Sequence, residues 1–88
     1  MHIFEKSPGL VEQEVEGDII VLDKAAGLIH QLNPTAGEIW RACDGQRNSD
    51  DIAALIAKQY DIDAEVAKSD VLSALQQLEE QDLIRLIE

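Results

Sequence analysis

The sequence is poor in cysteine, aromatic residues and basic residues, and each scarcity excludes a class of protein. Cys43 is the single cysteine, so the chain can form neither an internal disulfide nor a paired-cysteine metal site. Only 7 basic residues oppose 18 acidic ones, and the net charge is −11. Nucleic acid and anionic membrane surfaces are therefore not expected as partners, because both bind through clustered Lys and Arg. With no signal peptide and no long apolar run, the sequence predicts a protein of the reducing cytoplasm.

The length and the apolar content predict one small folded domain. The chain has 88 residues, too few for a second hydrophobic core, and 45% of them are hydrophobic. The core is expected to be largely aliphatic, since Phe4, Trp40 and Tyr60 are the only aromatic residues. Residues 1–9 show no clear period and are expected to be a loose N-terminal arm or a short edge strand. Residues 10–88 are expected to be the single folded domain.

Alternating and β-branched segments predict three strands in the first part of the chain. "LVEQEVEG" alternates, with Val11 and Val15 on one face and glutamates on the other, which is typical of a half-buried strand. "IIVLD" and "LIHQL" follow after short turns, and the second turn ends at Gly27, a residue suited to a positive φ. Short connections between strands indicate an antiparallel three-stranded meander.

Capping signals then predict three helices. Asn33 followed by Pro34 is an N-cap with proline at the first helical position, and Ser49 and Asp63 are the expected N-caps of the next two helices. Gly37 stands inside the first helix, where it costs about 1 kcal/mol relative to Ala, so we expect a close backbone neighbour there. The third helix is predicted over 64–81, and the alternating tail "LIRLI" is a final strand or a packing arm. The core stripe of the third helix is predicted to be Ala67, Val71, Ala74 and Leu78, with Leu75 beside it and Leu72 off it.

No set of residues in the sequence assembles a catalytic or metal site. Cys43 with His2 or His30 is conceivable as a thiol nucleophile, but Cys43 lies on the apolar stripe with Ile39 and Trp40, which favours a buried structural thiol. No catalytic residue, metal or cofactor is predicted, and the protein is interpreted as a binder. The predicted fold class is α+β and winged-helix-like, with a three-stranded antiparallel sheet followed by a three-helix bundle. A winged-helix regulator, or another protein-interaction domain with this fold, is one candidate function. The acidic third helix argues against DNA as its ligand.

The chain from the second strand onward resembles the PqqD family of small peptide chaperones. The matching features are "LNPTA" at 32–36, "CDG" at 43–45, and the apolar spacing of the second and third helices. The resemblance implies a recognition element that binds the leader of a ribosomally made precursor peptide. It also implies a modifying enzyme as a second partner, often a radical S-adenosylmethionine enzyme, as in the biosynthesis of pyrroloquinoline quinone (PQQ) or of a related peptide product.

The resemblance also implies where the leader lies. In this family the leader adds as an antiparallel strand to the third strand of the meander and lies in a cleft against the third helix. By position, the implied peptide-binding residues are Leu28, Ile29, His30, Gln31 and Leu32 on the strand, and Lys68, Val71, Leu72 and Leu75 on the helix. Strand addition also follows from the meander itself, because its last strand has an unpaired edge.

Overall fold

A computed structural model describes residues 2–88. In chain order the elements are β1 (Ile3–Lys6), β2 (Leu10–Val15), β3 (Asp18–Asp23), β4 (Leu28–Leu32), α1 (Pro34–Ala42), β5 (Asp44–Asn48), α2 (Ser49–Tyr60), α3 (Ala64–Glu80) and β6 (Ile84–Leu86).

The predicted meander is present as an antiparallel sheet with the strand order β2-β3-β4. The turn between β3 and β4 ends at Gly27, whose φ of 70° is the positive value expected there. The three helices contact one another, and α1 packs against β3 and β4 on one face of the sheet. The predicted α+β class, a three-stranded antiparallel sheet with three helices, is confirmed.

A second sheet with the order β5-β1-β6 is not predicted from the sequence. The N-terminal residues, expected as a loose arm or an edge strand, instead supply the central strand of this sheet, and Phe4 is buried. The expectation is wrong because the partners of β1 are distant in sequence, with Phe4 opposite Leu86 and Ile3 opposite Asn48. A pattern within nine residues carries no trace of such pairing.

The helix caps agree with the sequence at two of three positions. The side chain of Asn33 accepts a hydrogen bond from the amide of Ala36 at 2.8 Å, and Asp63 caps α3. The cap of α2 is Asn48 rather than Ser49, because Asn48 and Asp51 form a reciprocal capping box. The chain therefore enters α2 one residue earlier than predicted.

The faces of β2 are the reverse of a simple apolar-inward strand. Residues directly opposite one another share a sheet face, and the buried Ile19 and Val21 of β3 lie opposite Glu14 and Glu12 of β2. Both carboxylates accept hydrogen bonds from Arg41 of α1, at 3.1 Å for Glu12 and 3.4 Å for Glu14. The glutamates therefore lie on the helix-facing side of the sheet, and the valines of β2 point away from the helices.

Gly37 allows α1 to lie directly on the sheet. A Cβ at this position would stand 2.5 Å from Cγ1 and 3.3 Å from Cβ of Ile19, closer than side chains tolerate. We expected a backbone neighbour at Gly37, and this expectation is wrong. The group that lies against Gly37 is the side chain of Ile19, a β-branched residue in β3. The glycine therefore sets the spacing between α1 and the sheet.

Candidate functional site

β4 is an edge strand whose outer side is free to pair. Among the described strands it pairs with β3 alone, in a register that sets Leu32 opposite Ile19 and Leu28 opposite Asp23. In an antiparallel pair, successive residues direct their N–H and C=O groups to alternate sides. The outward groups therefore belong either to Ile29 and Gln31 or to Leu28, His30 and Leu32. Each set can form hydrogen bonds with an added strand.

The side chains of β4 divide into an inner set and an outer set. Leu32 is buried and His30 is half-buried on the helix-facing side, whereas Ile29 and Gln31 point away from the helices. Ile29 is 71% exposed, more than any other large hydrophobic residue between positions 2 and 88. Gln31 donates a hydrogen bond to Asp18 at 2.7 Å, which secures the β3–β4 pair on the outer face. The edge is therefore held in position from both faces while its outer side stays open.

Among residues 2–88, His30 has a buried ring nitrogen without a hydrogen-bond partner. Its Nε2 is buried and makes no hydrogen bond, although the ring as a whole is half-buried. A buried polar atom without a partner costs about 1–3 kcal/mol. The inner side of β4 therefore contains a polar group whose hydrogen-bonding capacity is unmet.

The four helix residues implied by the resemblance do not form one surface. Val71 and Leu75 are 0% and 1% exposed and belong to the hydrophobic core. Lys68 approaches Asp50 of α2 at 3.7 Å, and Leu72 is 48% exposed on the same flank of α3. Leu72 is therefore not buried beneath another element, and Val71 and Leu75 can reach a peptide only if the core opens.

The opposite flank of α3 lies beside the end of β4. A cavity of about 300 Å³ is lined by Asn33, Thr35, Ala36 and Ile39 from the β4–α1 junction and by Asp70, Ser73, Ala74 and Gln77 from α3. Helical geometry separates Leu72 from Asp70 and Gln77 by about 140–160°. The sequence contains the signal for this flank, because these positions recur at three- and four-residue intervals. Periodicity alone does not say which flank faces β4.

The sheet face that points away from the helices is partly apolar. Val11, Leu22 and Ile29 lie directly opposite one another across the three strands on this face. Val11 is 44% exposed, and Leu22 is half-buried. No described helix covers this row, because α1 packs on the other face.

Cys43 has the character of a structural thiol. It is 1% exposed, and its Sγ donates to the carbonyl oxygen of Ile39 at 3.3 Å. Burial raises the pKa of the Cys43 thiol to about 12, which suppresses the nucleophilic thiolate at neutral pH. Within residues 2–88 no group of three His, Cys, Asp or Glu side chains is placed to hold a metal ion. The helices described there include none that is both long and apolar enough to cross a membrane.

Fold and edge together define a small α+β domain in which the edge strand β4 ends beside a cavity lined by α1 and α3. Two solved structures share this fold. One is TbiB1 in complex with the TbiA(beta) leader peptide, at 18% identity and a TM-score of 0.81, covering 92% of this chain and 94% of that chain. The other is lasso peptide synthetase B1 complexed with the leader peptide, at 22% identity and a TM-score of 0.81, covering 93% and 96%.

The family follows from the sequence itself. The family model for PqqD, described as coenzyme PQQ synthesis protein D, matches residues 18–84. The chain belongs to the PqqD family. A comparison with curated proteins finds no match. The matched segment begins at β3 and ends at the start of β6, so it includes β4 and α3 and leaves out β1 and β2.

Proposed function

We propose that this protein is a non-catalytic chaperone that binds the leader of a ribosomally made precursor peptide by strand addition to β4. The observation that carries the proposal is the open edge of β4 in a domain of the PqqD family. Two proteins with the same fold have been solved with leader peptides bound, which supports this class of ligand. The bound leader is presented to a modifying enzyme, often a radical S-adenosylmethionine enzyme.

The two edges of the meander differ in their fitness for a partner strand. β2 carries Glu12 and Glu14, and charges along an edge strand discourage pairing with another chain. β4 has the sequence "LIHQL", with no acidic or basic residue other than His30. A partner strand at β4 therefore meets no row of charged side chains, whereas at β2 it does.

Backbone pairing provides the general affinity in this mechanism. Each hydrogen bond between the leader and β4 contributes about 0.5–1.5 kcal/mol net, and two or three such residues lie on the free edge. Alternate side chains of the leader then point toward the helices and toward the outer face. Specificity therefore comes from the side-chain contacts and not from the ladder.

The peptide-binding residues that we propose are Leu28–Leu32 for the ladder and the α3 flank that lines the cavity. Val71 and Leu75 are proposed to act indirectly, by holding α3 in place through the core. Peptide contacts from Lys68 and Leu72 stay predictions, because these residues lie on the flank turned toward α2. We place the protein in the cytoplasm, in keeping with its single reduced, buried thiol.

A proline scan tests strand addition. His30 and Gln31 are adjacent, so one of them directs its N–H to the free edge and the other donates to β3. Proline at the free-edge position removes one donor to the leader, and binding is expected to weaken about 3- to 10-fold beyond the effect of alanine there. Proline at the neighbouring position is the matched control, and it is expected to lower the stability of the sheet instead.

Binding and its location are measured together by NMR titration. The probe is the adjacent precursor peptide where one is encoded beside the gene, or a 12-residue peptide selected from a random library. Amide shifts are expected along Leu28–Leu32 and on the flank of α3 that carries Asp70 and Gln77. Shifts confined to β1 and β2, or equal losses from proline and alanine, would show that the leader does not add to β4.

A further inference from the structure

The direction of an added strand places one end of the leader at the cavity. This inference rests on the proposed function. A leader antiparallel to β4 begins beside Leu32 and ends beside Leu28. The cavity starts at Asn33, the residue that follows β4. A side chain at the N-terminal end of the paired leader segment is therefore the one that reaches the cavity.

The cavity combines an apolar floor with a single charge. Ala36, Ile39 and Ala74 supply apolar surface, and Asp70 is the charged residue among the lining side chains. Asp70 is exposed, and within residues 2–88 it takes part in no salt bridge and no side-chain hydrogen bond. Its negative charge therefore stands at the cavity without a cation from this chain.

The neighbouring surface of α3 does not neutralise that charge. Lys68 is the one basic residue of α3, and it approaches Asp50 on the opposite flank at 3.7 Å. Next to the cavity, Ser73, Gln76, Gln77 and Glu80 line a second depression, which adds another carboxylate. The α3 residues that line the two depressions therefore include two carboxylates, Asp70 and Glu80, and no basic residue.

We propose that the leader carries a Lys or Arg at the N-terminal end of its β4-paired segment and that Asp70 selects this cation. Both side chains join an aliphatic stem to a charged head, which matches an apolar floor with a carboxylate at its rim. Gln77 offers an additional amide acceptor, whereas the Asn33 side chain already accepts from Ala36. An acidic leader side chain at this point meets repulsion and no donor. The net charge of −11 adds long-range attraction for a basic segment.

Selection from a random peptide library tests the charge preference whatever the sequence of the leader is. The full-length protein, Asp70→Asn and Glu79→Gln are each immobilised and used to select 12-residue peptides by mRNA display. Glu79 is the matched control because it is also exposed and lies about 180° from Asp70 around α3. Peptides selected by the wild type and by Glu79→Gln are expected to share one Lys or Arg position. Asp70→Asn is expected to select peptides without it.

A double-mutant cycle then assigns the effect to the pair. A wild-type-selected peptide is expected to bind Asp70→Asn about three- to fivefold more weakly, the upper part of the range for a solvent-accessible ion pair, and Glu79→Gln within twofold. Changing the peptide cation to Gln should weaken wild-type binding to a similar extent and have no further effect on Asp70→Asn. Independent losses from the two changes would overturn the assignment.

The outcomes separate this inference from the proposed function. Selected peptides that shift the amides of β4 but share no cation, or that bind Asp70→Asn and Glu79→Gln equally, overturn the role of Asp70 and leave strand addition standing. Failure to select any peptide that shifts β4 overturns strand addition, and the role of Asp70 with it. The circular dichroism spectra of Asp70→Asn and Glu79→Gln are expected to match the wild-type spectrum. A change in peptide selection or affinity is then an effect on binding and not on folding.

Discussion

Replacing Gly37 with alanine is expected to destabilise the protein, although alanine is the better helix former. On propensity alone, Gly to Ala inside a helix gains about 1 kcal/mol. The new Cβ, however, would stand 2.5 Å from Cγ1 of Ile19 and 3.3 Å from its Cβ. The contacted atoms belong to the rigid part of a β-branched side chain that is 3% exposed and fixed in β3. Either α1 or the strand has to move.

The clash is expected to outweigh the gain in helix propensity. Overpacking a core costs about 1–3 kcal/mol, and a contact this short with a stiff neighbour belongs at the upper end. Subtracting about 1 kcal/mol of helix propensity leaves a net loss of about 2 kcal/mol in the free energy of unfolding. Gly37→Ala should therefore unfold at a lower urea concentration with an unchanged m-value.

Removing Cγ1 of residue 19 should abolish or reverse the destabilising effect of Gly37→Ala. Ile19→Ala deletes Cγ1 and is itself destabilising by about 2–5 kcal/mol, but in that background Gly37→Ala should be neutral or stabilising by up to about 1 kcal/mol. The expected coupling between the two positions is about 2–3 kcal/mol. Ile19→Val is the matched control, since it keeps both atoms attached to Cβ and therefore keeps the clash.

Trp40 provides the signal for these measurements. It is the only tryptophan, lies in α1 at 2% exposure, and donates a hydrogen bond from its indole nitrogen to the carbonyl oxygen of Leu83 at 3.0 Å. Urea unfolding followed by Trp40 fluorescence gives the free energy of unfolding of the wild type, the two single variants and the double variant. A Gly37→Ala variant as stable as the wild type, or an equal loss in the Ile19→Ala background, would refute the packing argument.

The buried groups near the core yield two further predictions. Since burial raises the pKa of Cys43 to about 12, the folded thiol stays protonated while the unfolded thiol ionises from about pH 9. Relative to Cys43→Ser, the wild type should therefore lose about 1.4 kcal/mol of stability per pH unit above pH 9 and nothing below it; parallel pH profiles would contradict this. His30→Leu removes the unpaired buried Nε2 and should raise the free energy of unfolding by about 1 kcal/mol in urea melts, whereas a clear loss would mean that Nε2 has an unseen partner.

Features that depend on local chemistry are predictable from this sequence. The caps at Asn33 and Asp63 and the positive φ at Gly27 each follow from one or two residues and their immediate backbone. The meander follows from short turns between β-branched segments, and the position of β4 at its edge follows from the chain order. Much of the candidate site can therefore be predicted without a structure.

Features that depend on distant partners are not predictable in the same way. β5 has the sequence "DGQRN", with no β-branched or aromatic residue, and it is a strand because it pairs with β1, which lies far earlier in the chain. The periodicity of α3 predicts its core stripe, but the flank that faces β4 depends on how α3 packs against α1 and α2. That rotation is why the implied Lys68 and Leu72 lie away from the cavity and Asp70 lies beside it.

The division into two sheets explains how such a small domain can present a strand edge without losing its fold. The sheet of β1, β5 and β6 joins the two ends of the chain to its middle, and it includes the backbone bond from Ile3 to the carbonyl oxygen of Glu88. The meander is local in sequence and is supported from the helices through Gly37 and Ile19. The outward side chains of β4 therefore add little to the core. A peptide that pairs with β4 needs only the backbone groups of these residues. Substitutions of the outward side chains of β4 are therefore expected to leave the architecture intact, and two proteins that share only 18% and 22% identity with this chain have the same fold.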